Sequence, residues 1–285
     1  MARPLDGFLS YVRPAFMLPA VGMSIYGGVL SAGMVDPLSG ALHAGAVGGA
    51  LYVAHLRDGY IDGHRRGEEA PRLTVPAFRS AVLTGSLVVV ALSAVLFARS
   101  GVSAALSAVL LLVLALLHAP YLDRHPLTVT ADYPVGIGLA LLGGYAAQTG
   151  SVTLGRVGVA AAFVGLLSGI KIGIDRLDAD FDRSIGKRTV PVAFGSRGSE
   201  RLAVAVFGAT AVTTAAVGVG SVRPTAVVAA AAVPVGCLLA TVFASPDRAV
   251  RIQMALTYVF AAVLFFGVCN ACVGVTVATR LLGVG

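Results

Sequence analysis

Apolar stretches long enough to cross a bilayer recur from one end of this chain to the other, and no other feature restricts its fold so tightly. They cover about residues 14–34, 39–56, 80–98, 102–119, 135–149, 154–172, 201–220, 224–244 and 252–278. In lipid every backbone N–H and C=O must be satisfied within the protein, so runs of this length are helices. The expected fold is all-α, a polytopic membrane protein with nine transmembrane helices. Composition agrees: 57% of the residues are hydrophobic and 12% charged, a balance that excludes an ordinary soluble domain. Gly, Ala and Ser within the runs allow close approach of helices. Residues 1–12 carry Arg3, Asp6 and Ser10 rather than a short apolar core, so no cleavable signal peptide is expected. Cys237, Cys269 and Cys272 lie inside apolar runs and read as small packing residues.

The charges set an orientation. With nine spans, the N-terminus and the loops after spans 2, 4, 6 and 8 share one side, which holds 17 of the 21 Lys and Arg. By the positive-inside rule that side is cytoplasmic, leaving Gly285 outside. The basic excess therefore reflects topology rather than nucleic-acid binding. Thirteen of the fourteen acids lie on the same side, Asp36 being the exception. Acids contribute little to topology, so their segregation needs another cause. A functional mouth on the cytoplasmic face supplies one.

Two acidic clusters mark that mouth. In residues 171–192, Asp175, Asp178 and Asp182 are spaced i, i+3 and i+7, so a helix would set all three on one face. Stacked like charges next to a membrane need a cation against them. A hard divalent ion with oxygen ligands suits them, and Mg²⁺ commonly completes its shell with phosphate oxygens and water. Arg183, Lys187 and Arg188 follow, cations suited to an anionic phosphate. Lys171, one turn before Asp175, either pairs with it or reaches the phosphate. The second cluster lies in residues 57–69, where Asp58 and Asp62 are i, i+4 with Arg65 and Arg66 just beyond. Spans 2 and 6 end on the same side, so each cluster could hold a Mg²⁺ and the two could bracket a diphosphate. Their equivalent positions hint at an internal duplication, with halves of about 1–125 and 126–285. Single polar and aromatic residues carry less: His55, Tyr26 and Tyr145 read best as structural, and His43 is assigned no role.

These residues resemble the UbiA superfamily of intramembrane prenyltransferases, and the likeness extends over essentially the whole of 1–285. The family's second motif, Asp-x2-Asp-x3-Asp followed by Gly-Lys/Arg-Arg-Thr-x-Pro, is matched by Asp175, Asp178, Asp182, Gly186, Lys187, Arg188, Thr189 and Pro191. The first, Asn-x3-Asp-x3-Asp, is matched in part: Asp58 stands for Asn, Asp62 agrees, and Arg66 replaces the last acid. Arg13-Pro14 resembles the family's basic residue at the first span, and Pro120-Tyr121 its tyrosine loop. Asp123-Arg124-His125 stands where a lysine is usual.

The resemblance implies one transmembrane domain with a central cavity open to the cytoplasm and the membrane. It implies Mg²⁺-dependent transfer of a prenyl group from a polyprenyl diphosphate to a lipophilic acceptor, in the plasma membrane of a prokaryote. Asp58, Asp62, Asp175, Asp178 and Asp182 would be the catalytic acids, with Asp58, Asp62, Asp178 and Asp182 on the metal. Arg13, Arg65, Arg66, Tyr121, Lys171, Lys187 and Arg188 would bind substrate. The other readings are a catalytically impaired relative that binds prenyl lipid and an ion-coupled transporter. The transporter would place acids near mid-span, not at span ends.

Overall fold

The structure is a computed structural model and describes residues 4–32 and 35–269. Its helices are α1 (Pro4–Leu9), α2 (Pro14–Ala32), α3 (Pro37–Ile61), α4 (Val75–Ser100), α5 (Val102–Tyr121), α6 (Pro126–Thr149), α7 (Leu154–Leu177), α8 (Ala179–Ser184), α9 (Val190–Gly218), α10 (Pro224–Ala230), α11 (Ala232–Phe243) and α12 (Pro246–Val268). A π-helical turn follows α3 at Asp62–Arg66, and a 3-10 turn follows α5 at Leu122–Arg124. No strand occurs among the described residues, so the all-α expectation holds.

Eight segments are long and apolar enough to cross a membrane, with α10 and α11 together forming one of them, Pro224–Phe243. The helix at the remaining expected span, α3, is 25 residues long but is not one of the eight. It still runs the length of its neighbours. At one end Asp36 caps it and accepts from Arg99 of α4 at 2.8 Å, while Gln148 of α6 donates to the Asp36 carbonyl at 3.0 Å. At the other end Arg57 donates to the Ala119 carbonyl of α5 at 2.9 Å. That carbonyl is free because α5 leaves helical geometry at Ala119 and Pro120.

Several helices outrun their apolar cores. The expected loop 118–134 is mostly the start of α6, because His125 caps that helix and Pro126 sits in its first turn, where no N–H is needed. Helix α9 begins at Val190 rather than near 201, with a break at Gly195 (φ 71°). The expected last span, 252–278, lies in α12 as far as Val268, and its remainder and Gly285 are outside the described residues.

Large apolar side chains face outward, as lipid permits: Leu83, Leu87 and Phe97 on α4 are each about 60% exposed. The interior is closed by small residues instead. A Cβ on Gly144 would lie 1.9 Å from the Ser24 carbonyl oxygen, and one on Gly27 2.0 Å from that of Leu141, so α2 and α6 touch backbone to backbone. One apolar cluster joins α2 through α6, and another joins α6, α7 and α9 through α12 with Leu30 of α2. Between α2, α3 and α5, buried His43 bonds Ser24 at 2.8 Å and Ser107 at 3.0 Å, a structural role that its sequence position does not reveal. Tyr26 and Tyr145 are also structural: the first donates to the Ala261 carbonyl at 3.1 Å, and the second lies under Arg156. Cys237 is buried and free, but Cys269 is disulfide-bonded, which corrects its reading as a packing residue. Cys272 lies outside the described residues.

Candidate active site

One acidic cluster lies where the end of α3 meets the starts of α2 and α6 and the end of α5, and the other where the end of α7 turns through α8 towards α9. Helix α7 stops at Leu177, and Asp178 (φ −99°, ψ 6°) turns the chain into α8. The single helical face expected for three aspartates is therefore broken at Asp178, where a continuous helix would have stacked their charges. Asp175 and Asp182 are buried, whereas Asp178 is exposed. Gly186 then takes a left-handed φ of 75°, open to glycine at little steric cost. This turn folds the motif back on itself: the Lys187 N–H donates to the Asp182 carbonyl at 2.9 Å, and the Thr189 hydroxyl donates to Asp182 Oδ2 at 3.1 Å. Lys171 pairs with Asp175 Oδ1, so its first reading is realised, and Asp175 Oδ2 is buried with no hydrogen-bond partner.

The π-helical turn after α3 holds the first cluster, with Gly67 (φ 69°) ending it. Asp58 lies 3.9 Å from Arg13 and 3.8 Å from His118 Nε2. The other ring nitrogen of His118 meets buried Asp132 at 2.6 Å, which fixes the ring. Arg66 pairs with Asp62 at 3.1 Å and, more closely, with Asp123 of the turn after α5. Burial first, then Asp58 and Glu68, push the Asp62 carboxyl up to about 6, against the pull of Arg66 and Lys187. Lys187 therefore lies near enough to act electrostatically on Asp62 in one cluster and on Asp175 in the other.

Other expected substrate contacts fall outside this core. The guanidinium of Arg65 lies over the Tyr60 ring at 5.7 Å, Tyr121 is 59% exposed, and Arg188 is exposed at the rim. Arg183 pairs with Asp180 at 2.8 Å. His118, Asp123 and Asp132 are not among the site residues that the sequence leads one to expect. The presence of Asp123 where a lysine is usual is the only hint.

The donors fit a divalent ion at the second cluster: hard carboxylate oxygens, among them the orphaned Asp175 Oδ2. Among the described residues no three His, Cys, Asp or Glu side chains converge into a ready-made cage. An ion completed by phosphate oxygens and water requires no such cage.

Comparison with known proteins decides the family. The model of the UbiA prenyltransferase family matches residues 23–266. The chain belongs to the UbiA prenyltransferase family. As a UbiA member it is a multi-pass membrane prenyltransferase. No curated protein sequence matches it. Solved structures share its fold at low identity. A structure of digeranylgeranylglyceryl phosphate synthase is 15% identical with a TM-score of 0.75, covering 93% of this chain and 98% of the other. A UbiA homolog from Archaeoglobus fulgidus bound to GPP and Mg²⁺ is 14% identical with a TM-score of 0.70, covering 91% and 98%. The apo UbiA homolog from Aeropyrum pernix K1 is 19% identical with a TM-score of 0.66, covering 89% and 98%.

Proposed function

We propose that this UbiA member transfers a prenyl group from a polyprenyl diphosphate to a lipophilic acceptor, with Mg²⁺, at a mouth facing the cytoplasm. The observation that carries the reading is the pair of aspartate clusters at helix ends, the second with Asp175 Oδ2 buried and unpartnered and Asp178 exposed. Asp178 and Asp182 would hold Mg²⁺, with Asp175 beside them. Bound there, Mg²⁺ would neutralise the diphosphate as the allylic C–O bond ionises. Lys187 donates to the phosphate oxygens, Arg188 and Arg13 add charge at the rim, and Lys171 stays paired with Asp175. The prenyl tail lies along the apolar walls of the bundle, away from water that would trap the carbocation. Attack by an electron-rich carbon or an alcohol oxygen of the acceptor forms the new bond, and its proton leaves to a nearby base or to water. The binding of GPP and Mg²⁺ by the Archaeoglobus homolog supports this reading. So does the placement of Asp58, Asp62, Asp175, Asp178 and Asp182 at helix ends, which a transporter's mid-span ion site would not require. The test is release of diphosphate from a prenyl diphosphate by purified protein in native-lipid vesicles. Release that needs Mg²⁺ and stops with a chelator is expected, and binding without release would instead favour an impaired relative.

A further inference from the structure

The two clusters differ in what neutralises them. In the first, Asp58, Asp62, Glu68 and Asp123 each already face a protein cation. The Arg66 guanidinium is edged by three carboxylates: Nη1 on Asp62 Oδ1 at 3.1 Å, Nη2 on Asp123 Oδ2, and Nε 3.8 Å from Glu68 Oε1. These come from three places, the π-helical turn, the loop beyond it and the turn after α5, so the guanidinium ties α3 to α5. Asp58 is shared between Arg13 and His118. Asp123 is 4% exposed, and its second oxygen, like Glu68 Oε1, is buried without a hydrogen-bond partner. Such a concentration of buried carboxylate is costly unless a cation sits among them. In the second cluster only Asp175 has a cationic partner. Asp182 is bonded to a neutral hydroxyl, and Asp178 is exposed with no ion pair among the described residues.

We propose that Arg66 is a built-in substitute for a divalent ion at the first cluster, so that the diphosphate is bound with one divalent ion, at the Asp178–Asp182 side, rather than two. A planar guanidinium with five fixed donors can edge three carboxylates as an ion would, and it needs no ion from solution. Arg66 is a positioning residue here: it neutralises and orders Asp62, Glu68 and Asp123 around the space the diphosphate enters. The inference rests on the proposed function.

The test counts ions rather than turnover. The full-length protein, purified in detergent, is equilibrated with Mn²⁺ and inorganic diphosphate, and bound Mn²⁺ is counted by electron paramagnetic resonance. One Mn²⁺ per chain is expected for the natural sequence and for Arg66→Lys. Two are expected for Arg66→Asp and Arg66→Gln, each of which frees Asp62, Glu68 and Asp123. Two ions on the natural sequence, or one on both charge-removing variants, would overturn the inference. The natural-sequence count decides even if a variant does not fold. No diphosphate-dependent Mn²⁺ at all would instead sink the proposed function, and the inference with it.

Discussion

Asp62 offers the sharpest quantitative prediction, because its burial among other acids works against folding. Its carboxyl is raised from 3.8 to about 6, with burial as the largest cause, and the side chain is only 17% exposed. A pKa change of one corresponds to about 1.4 kcal/mol, so the ionised group withholds up to ~3 kcal/mol of stability at neutral pH. The sign follows from the direction. A raised carboxyl contributes most below its unfolded value near 3.8, and the contribution is lost as pH rises through about 6. Asp62→Asn resembles the protonated form at every pH. Without divalent ions, the variant should match the natural protein near pH 4 and exceed it in melting temperature by several degrees at pH 7. The gap should open between those values and stay level above. Thermal unfolding in detergent, followed by circular dichroism or an environment-sensitive dye across pH, measures it. Equal melting temperatures at pH 7, or a gap that does not change with pH, would refute the reasoning.

Asp178→Ala or Asp182→Ala should abolish turnover while the protein stays in the membrane, since each removes a proposed oxygen ligand; near-normal activity in either would remove the second cluster from the mechanism. Gly144→Ala should destabilise the bundle by ~2 kcal/mol or more, because a Cβ 1.9 Å from the Ser24 carbonyl forces α2 and α6 apart, and an unchanged melting temperature would contradict that contact. Single cysteines introduced at positions 66 and 184 should both react with a reagent confined to the cytoplasm, and one at 99 should not. Labelling of 66 and 184 from opposite sides would refute the proposed topology.

Much of this architecture is legible in the sequence because lipid makes apolar length a direct signal of helix. The signal fails where helices leave the apolar layer: α3 continues through Arg57 and Asp58, and α6 starts at Pro126 among polar residues. There caps and tertiary bonds, not hydropathy, set the ends. The aspartate clusters are legible from their spacing, which is local. The partners of the first cluster are not, since Arg66 meets Asp123 across 57 residues and Asp58 meets His118 across the bundle. The break at Asp178 escapes helical periodicity for a related reason: the pattern that puts three acids on one face is the one their mutual repulsion disfavours.

The central claim is that both clusters border one diphosphate site, and Lys187 is the residue that connects them. The dissociation constant of geranyl diphosphate in the presence of Mg²⁺, compared between the natural protein and Lys187→Met, tests it most directly. Loss of a charged hydrogen bond of about 1.5–3 kcal/mol predicts binding weakened roughly 10- to 150-fold. Unchanged affinity would show that the diphosphate does not sit between the clusters.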